Sequence, residues 1–172
     1  MIASDTASAQ KAQLNHIIIT NTRDDLLLYL NVEGAFREKM KKAIFSGVPA
    51  SFSYIINLYQ TRKLWKDKKI AANKITGTIK YNNLKKEFLI RRSWKNNDAV
   101  IVKSFQEAQK LMTEISSFKI ISLAKLEKGQ RYQIRAKAEL SKLTLPFYLH
   151  YILFFISLWD FETDWYTIDF IY

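Results

Sequence analysis

The sequence predicts a mostly β domain with two helices, arranged as an antiparallel sandwich of the immunoglobulin-like kind. Three observations predict it: apolar residues alternate with polar ones in several short segments, turn residues separate those segments, and only two segments show helical spacing. A single curved antiparallel sheet with helices on one face, which is an α+β fold, is the alternative. The chain has 172 residues, 48% of them hydrophobic, with 4 Gly and 2 Pro. This composition excludes collagen-like and disordered classes.

The chain is expected to form one folded domain. No linker or internal repeat divides it, so we expect residues 1–13 to be a disordered N-terminal remnant and residues 14–172 to be a single β-rich domain. The remnant contains Ala7-Ser8-Ala9, small residues of the type found at a signal-peptidase site, but no apolar segment precedes them. Two alternatives therefore stay open: a chain from which an export signal was removed, or a cytosolic tail.

The strand segments show period-two alternation, which is typical of antiparallel strands with one buried and one solvated face. It occurs in residues 26–32, 52–58, 131–140 and 166–172. In the third segment the apolar face is Tyr132, Ile134, Ala136, Ala138 and Leu140, and the opposite face is Arg131, Gln133, Arg135, Lys137 and Glu139. We expect the apolar set to be buried and the charged set to be exposed.

Turn residues predict that neighbouring strands form hairpins. Asn82-Asn83 separates residues 74–81 from 86–92, and Lys128-Gly129 separates residues 118–126 from 131–140. Asn and Gly tolerate the positive φ that tight hairpin turns require. A third turn is predicted at Lys66-Asp67-Lys68. The strands are therefore expected to follow one another as a meander.

Two segments have the spacing of amphipathic helices. The first contains Phe36, Met40, Ala43 and Ile44 and ends at Gly47, a typical position for a C-terminal glycine. The second begins with the capping box Ser104-x-x-Glu107. Its apolar stripe is Phe105, Ala108, Leu111, Met112 and Ile115. Both stripes are interpreted as core-facing surfaces.

Positive charge is concentrated in the middle of the chain. The net charge is +11, and between Gln60 and Lys95 twelve basic residues stand against Asp67 and Glu87. This distribution favours anionic partners, namely phospholipid headgroups, nucleic acid or an acidic protein surface; a basic face that serves only solubility is the alternative. Two of the basic segments contain tryptophan, which serves membrane interfaces and single-stranded nucleic acid, or simply packs at a strand end. The candidate binding surface is Arg62, Trp65, Lys66, Arg91, Arg92 and Trp94.

The sequence contains no recognisable catalytic motif. It has no cysteine, no nucleophile elbow, no phosphate-binding glycine loop and no zinc-protease motif. His16 and His150 lie in apolar or β-branched runs and are interpreted as structural. Asp160-x-Glu162-x-Asp164 resembles half of a calcium loop, but Trp165 stands where that loop needs glycine. We therefore expect no enzyme, no cofactor and no metal site.

The last thirty residues differ from the rest of the chain. No residue from Leu143 to Trp159 carries a formal charge, and only acidic charges follow. The run is short for a membrane span, which typically needs ~20 residues. We expect it to lie in the core, in an interface or against lipid, with Trp159 and Trp165 largely buried and residues 166–172 forming a final strand.

Four motifs carry a resemblance to a known family. They are Ser46-Gly47-Val48-Pro49-x-x-Phe52-x-Tyr54, Arg62-x-x-x-Trp65-x-Asp67, Tyr132-x-Ile134-x-Ala136 and Ser157-Leu158-Trp159-Asp160-Phe161-x-Thr163-Asp164-Trp165. In order and spacing, the chain from about His16 onward resembles the bacterial domain-of-unknown-function family numbered 4390. The resemblance implies no established activity and no site residue. It implies an exported protein of the periplasm or cell envelope, because family members typically begin with a signal peptide and are often encoded beside a membrane sensor histidine kinase.

Charge, composition and resemblance together lead to two function hypotheses. The first is a non-enzymatic cell-envelope domain, accessory to a membrane sensor kinase, that binds a partner protein or the anionic membrane surface. The second is a cytosolic nucleic-acid-binding domain, which the net charge alone favours. The sequence leaves the oligomeric state open.

Overall fold

A computed structural model describes residues 12–140 and 162–172 of the chain. Within these residues the strands are β1 (Gln13–Asn21), β2 (Asp25–Glu33), β3 (Ala50–Gln60), β4 (Lys68–Asn82), β5 (Glu87–Arg92), β6 (Val100–Val102), β7 (Glu114–Ser122), β8 (Arg131–Leu140) and β9 (Tyr166–Ile171). The helices are α1 (Glu38–Phe45) and α2 (Phe105–Thr113). The predicted fold class, mostly β with two helices and antiparallel pairing, is confirmed. The predicted remnant 1–13 falls almost wholly outside the described residues; of its last two residues, Ala12 is buried and Gln13 begins β1.

Two antiparallel sheets make up the domain. The first has the strand order β1-β2-β7, and the second has the order β6-β5-β4-β3-β8-β9. The apolar faces of both sheets contribute to one hydrophobic cluster, as expected for a sandwich. β3 lies at the centre of the larger sheet and is buried on both faces, because Ser53 and Asn57 are as enclosed as the apolar residues that alternate with them.

Both helices occur in the predicted segments, but Phe36 of the first stripe lies before α1, which begins at Glu38, and is buried from the preceding connection. The Ser104 hydroxyl caps α2 by accepting a hydrogen bond from the backbone N–H of Glu107 at 3.5 Å. Ala108 and Met112 of α2 are buried, as are Met40 and Ile44 of α1. The prediction for Ile115 is wrong, because the backbone becomes extended at Glu114 and Ile115 is buried in β7 instead. A β-branched side chain can be buried from a helix or from a strand, so the apolar stripe alone does not show where the helix ends.

One of the predicted hairpins is wrong. The turn after β4 does join β4 to β5, and residues 61–67 join β3 to β4. The turn at Lys128-Gly129 also exists, with Gly129 at φ +77°. However, β7 pairs with β2 in the smaller sheet, whereas β8 pairs with β3 and β9. Residues 123–130 therefore cross between the sheets. Turn residues identify a reversal of the chain, but they do not identify the strand that pairs after it.

The predicted alternation of β8 is confirmed. Tyr132, Ile134, Ala136 and Ala138 are buried, and Arg131 is exposed. The prediction for Leu140 is wrong, because this last residue of the strand is only half-buried. Arg135 and Lys137 are half-buried rather than exposed, because each contacts a carboxylate: Arg135 binds Asp67 and Lys137 binds Glu162. The charged face of β8 is thus partly covered by the chain itself.

The C-terminal predictions have mixed outcomes. The final strand is confirmed as β9, which pairs with β8. Trp165 is not largely buried, since half of its surface is exposed and Lys137 Nζ lies 5.6 Å from its ring centroid. Lys137 of β8 thus places a cation over the ring, which does not lie in an apolar pocket. Trp159, His150, Asp160 and the run Leu143–Trp159 lie outside the described residues.

The buried phenol of Tyr54 predicts a pH-dependent contribution to stability. Its hydroxyl donates a hydrogen bond to the carbonyl of Met112, and burial raises the pKa of the phenol. Tyr54→Phe should cost about 1 kcal/mol of unfolding free energy at pH 7. Above pH ~10 the phenol ionises in the unfolded state while it stays neutral in the folded state. The unfolding free energy of the wild type therefore falls by about 1.4 kcal/mol per pH unit relative to that of the variant, which has no phenol at this position. Urea unfolding should show the wild type more stable than the variant at pH 7 but not at pH 11; a stability difference that does not change with pH would contradict this.

Candidate functional site

The predicted binding surface divides into two separate places. Arg62, Trp65 and Lys66 lie in residues 61–67 between β3 and β4, which we name the basic loop. Arg91, Arg92 and Trp94 lie at the end of β5 and just beyond it. Gln60 pairs with Lys68 at the start of β4, whereas Arg92 pairs with Gly77. The two pairs are nine residues apart on β4, or about 30 Å at ~3.3 Å per residue. The structure therefore does not bring the two groups together.

The group at the end of β5 is largely occupied with packing. The Trp94 ring meets Tyr54 edge-on, with centroids 5.6 Å apart. It also lies against Gly77, where an added Cβ would come within 3.1 Å of Trp94 Cη2. Arg92 is half-buried, and burial lowers the pKa of its guanidinium group. Of the three, Arg91 alone is exposed.

The basic loop, by contrast, exposes its apolar side chains. Leu64 is 90% exposed and Trp65 is 79% exposed. Arg62, Lys63 and Lys66 flank them and are also exposed. Within residues 12–140 and 162–172, these three cations form no ion pair with a carboxylate. The loop therefore presents two bare apolar side chains among cations that are free to bind an external anion.

Contacts at both ends hold the basic loop in place. At one end, the backbone N–H of Thr61 donates to the carbonyl of Arg131 at 3.0 Å. At the other, the Arg135 guanidinium donates to Asp67 Oδ2 at 2.6 Å. The same guanidinium lies over the Tyr59 ring, 4.3 Å from its centroid. Asp67 is thus the anchor of the loop rather than part of the binding surface. The tip is projected by a fixed base, so its exposure is a property of the fold.

A groove separates the basic loop from the connection that enters β8. Its volume is about 650 Å³, and residues 61–65 form one wall while Gly129, Gln130 and Arg131 form the other. A second cavity of about 500 Å³ adjoins it at Thr61 and Arg131 and continues along the end of β9, where Asp169 contributes a carboxylate to its lining. Arg62, Lys63 and Arg131 line the larger groove, and no carboxylate is among its described lining residues. The groove is therefore a cationic cleft beside an apolar tip.

The sequence predicts part of this site. Trp65 and its basic neighbours Arg62 and Lys66 were predicted, but Leu64 was not. Leu64 could have been identified, because it and Trp65 are adjacent apolar residues inside a basic run. The sequence also places Arg131 on the exposed face of β8, which is correct, but nothing in the sequence connects residue 131 with residue 62. That connection comes from the pairing of β3 with β8.

Potential metal ligands do not cluster within residues 12–140 and 162–172. These residues contain no group of three His, Cys, Asp or Glu side chains placed to hold a metal ion. Glu162 of the predicted acidic turn binds Lys137 instead. Neither of the two described helices has the length and apolar character needed to cross a bilayer. The basic loop and its groove thus combine exposed cations with exposed apolar side chains.

Comparison with known proteins identifies the family. No curated protein and no solved structure matches the chain significantly. A family model described as a domain of unknown function (DUF4390) matches residues 9–169, which is nearly the whole chain. The match agrees with the resemblance carried by the sequence motifs. The chain therefore belongs to the DUF4390 family.

Proposed function

We propose that the chain is a non-enzymatic domain of the bacterial cell envelope that binds an anionic membrane surface through its basic loop. The observation that carries the proposal is the exposure of Leu64 and Trp65, 90% and 79%, at the tip of a loop whose other exposed side chains are cationic. Trp is favoured at the headgroup level of membranes, and Leu is favoured in the acyl region below it. A place at the membrane surface also suits a domain accessory to a membrane sensor kinase.

The energetics of the loop fit reversible attachment. Complete burial of one large apolar side chain contributes about 1.5–3 kcal/mol. Each Lys or Arg close to an anionic leaflet contributes about 1 kcal/mol. The tip offers Leu64 and Trp65, with Arg62, Lys63 and Lys66 around them. These contributions offset the free-energy cost of ordering the loop at the membrane. That cost is modest because hydrogen bonds of Thr61 and Asp67 already hold the loop in place.

The geometry favours a membrane over the other partner classes. A nucleic acid would use the cations and the tryptophan ring, but a leucine that is 90% exposed gains nothing from a phosphate backbone. A stable protein interface typically buries at least about 1,000 Å² with good complementarity, and a narrow projecting tip offers less. A bilayer is deformable and needs no such complementarity. Both other classes become outcomes of the test.

Binding to vesicles tests the proposal. We expect the full chain to co-sediment with vesicles that contain phosphatidylglycerol and to stay in solution with vesicles of phosphatidylcholine alone. Binding should weaken at ~0.5 M salt, because screening removes the attraction of the cations. A single-stranded oligonucleotide is the competing ligand. Tight binding to it at physiological salt without vesicle binding would favour the cytosolic nucleic-acid hypothesis, and binding to neither would leave a protein partner as the explanation.

A further inference from the structure

We propose that the groove between the basic loop and Arg131 binds the phosphate of a lipid headgroup, so that attachment depends on headgroup chemistry and not on surface charge alone. This inference rests on the proposed function. It goes further because it assigns a ligand group and a second element of the fold to the binding event. The site is built from two chain segments that are far apart in the sequence.

The charges of the groove point to a compact anion. Arg62 and Lys63 lie on one wall and Arg131 on the other, and no described lining residue of this groove is acidic. All three cations are exposed, and none is paired with a carboxylate among the described residues, so each can attract an anion that enters the groove. Guanidinium groups donate paired hydrogen bonds that match phosphate oxygens, which a point-like ammonium cannot do.

The size of the groove also fits a headgroup. Small-molecule sites typically have volumes of about 300–1,000 Å³, and the groove measures about 650 Å³. Its rigid side is the start of β8, where the carbonyl of Arg131 accepts from both the backbone N–H and the hydroxyl of Thr61, at 3.0 and 3.3 Å. These bonds fix the distance between the two walls near Thr61. The cleft is therefore formed before any ligand arrives.

The groove lies directly beside the apolar tip. Leu64 and Trp65 are among its lining residues and are 90% and 79% exposed. When these two side chains enter the interface, which they penetrate by about 5–10 Å, Arg131 and Arg62 come to the level of the headgroups. An anionic lipid with an accessible phosphate then reaches the cations without leaving the bilayer.

Two variants with equal loss of charge separate headgroup recognition from general attraction. Arg131→Gln removes a cation of the groove, while Lys128→Gln removes an exposed cation from the same connection that does not line it. Each is titrated with two kinds of phosphatidylcholine vesicles matched in zeta potential, one containing phosphatidic acid and the other oleate. Both vesicles contain the zwitterionic phosphodiester of phosphatidylcholine, and only the first adds an anionic phosphomonoester, which is the group proposed to enter the groove. Oleate supplies its negative charge as a carboxylate.

We expect Arg131→Gln to lose about 10-fold in affinity for phosphatidic acid vesicles, the size of one or two charge-assisted hydrogen bonds. It should lose no more than Lys128→Gln on oleate vesicles. Equal losses for the two variants on both vesicles would overturn the inference and leave general membrane binding intact. Glycerol 3-phosphate and inorganic phosphate form the soluble arm: binding that depends on Arg131 but occurs without vesicle binding would overturn the lipid assignment in favour of free phosphate. Thermal melting confirms that both variants are folded.

Discussion

Replacing Leu64 and Trp65 together by serine should lower the affinity for phosphatidylglycerol vesicles by about 100-fold, since two partly inserted apolar side chains contribute about 3 kcal/mol. The net charge of the protein is unchanged, so the attraction over long distances remains and only the inserted contacts are lost. The double variant should bind weakly and with full sensitivity to salt, as expected of purely electrostatic attachment. Stability should not change, because both side chains are exposed in the free protein, 90% and 79%.

Leu84→Ser is the matched control for this double variant. Leu84 is 95% exposed in the turn between β4 and β5, beside Lys85 and Lys86. β4 runs from Lys68 to Asn82, so the turn is about 45 Å from the basic loop along the strand at ~3.3 Å per residue. Its loss should leave vesicle affinity within about 2-fold of the wild type, as is usual for a surface substitution. If Leu84→Ser weakened binding as much as the double variant, the basic loop would not be the attachment site.

The burial pattern of the strands could be predicted from the sequence, but their pairing could not. In β8, alternation identifies Tyr132, Ile134 and Ala136 as the buried face because side chains in a strand point to opposite sides in turn. Pairing depends on contacts between residues far apart in the chain. The run 118–126 has the same local pattern whether it pairs with β8 or with β2. In the structure it pairs with β2, and Leu123 and Leu126 of the connection that leads to the other sheet are buried. A turn motif does not predict which strand will be the partner.

The same limit applies to the candidate site. Trp65 and Trp94 have similar basic neighbours, so the sequence predicts the same binding role for both. They differ because Trp94 meets Gly77 on the adjacent strand, where the missing side chain leaves space for the ring. Trp65 has no such partner, since its loop projects beyond the sheet. The composition of a segment therefore predicted a binding surface, and the residue across the strand determined which tryptophan is available to bind.

Phe88→Ala should strongly destabilise the domain, because Phe88 is the buried centre of an aromatic cluster with Phe45, Tyr81 and Phe105. Phe88 is 1% exposed. Its ring centroid lies 5.4 Å from Phe45 of α1, 4.6 Å from Tyr81 of β4 and 5.6 Å from Phe105 of α2. It thus joins both helices to the larger sheet. Removing a buried phenylalanine typically costs about 3–5 kcal/mol, through lost burial and the cavity that remains. That is a large part of the about 5–15 kcal/mol by which domains are stable.

Phe45→Ala is the control, because Phe45 belongs to the same cluster but is 44% exposed. Water already reaches part of its ring, so the substitution removes less buried surface and leaves a cleft open to solvent rather than a closed cavity. We expect a loss of about 1 kcal/mol. Urea unfolding should show a midpoint that falls several times further for Phe88→Ala than for Phe45→Ala, with the same slope in urea for both if each folds to the native state. Comparable losses in the two variants would mean that burial of Phe88 does not hold the helices on the sheet, and that the cluster is stabilised mainly by ring contacts at its surface.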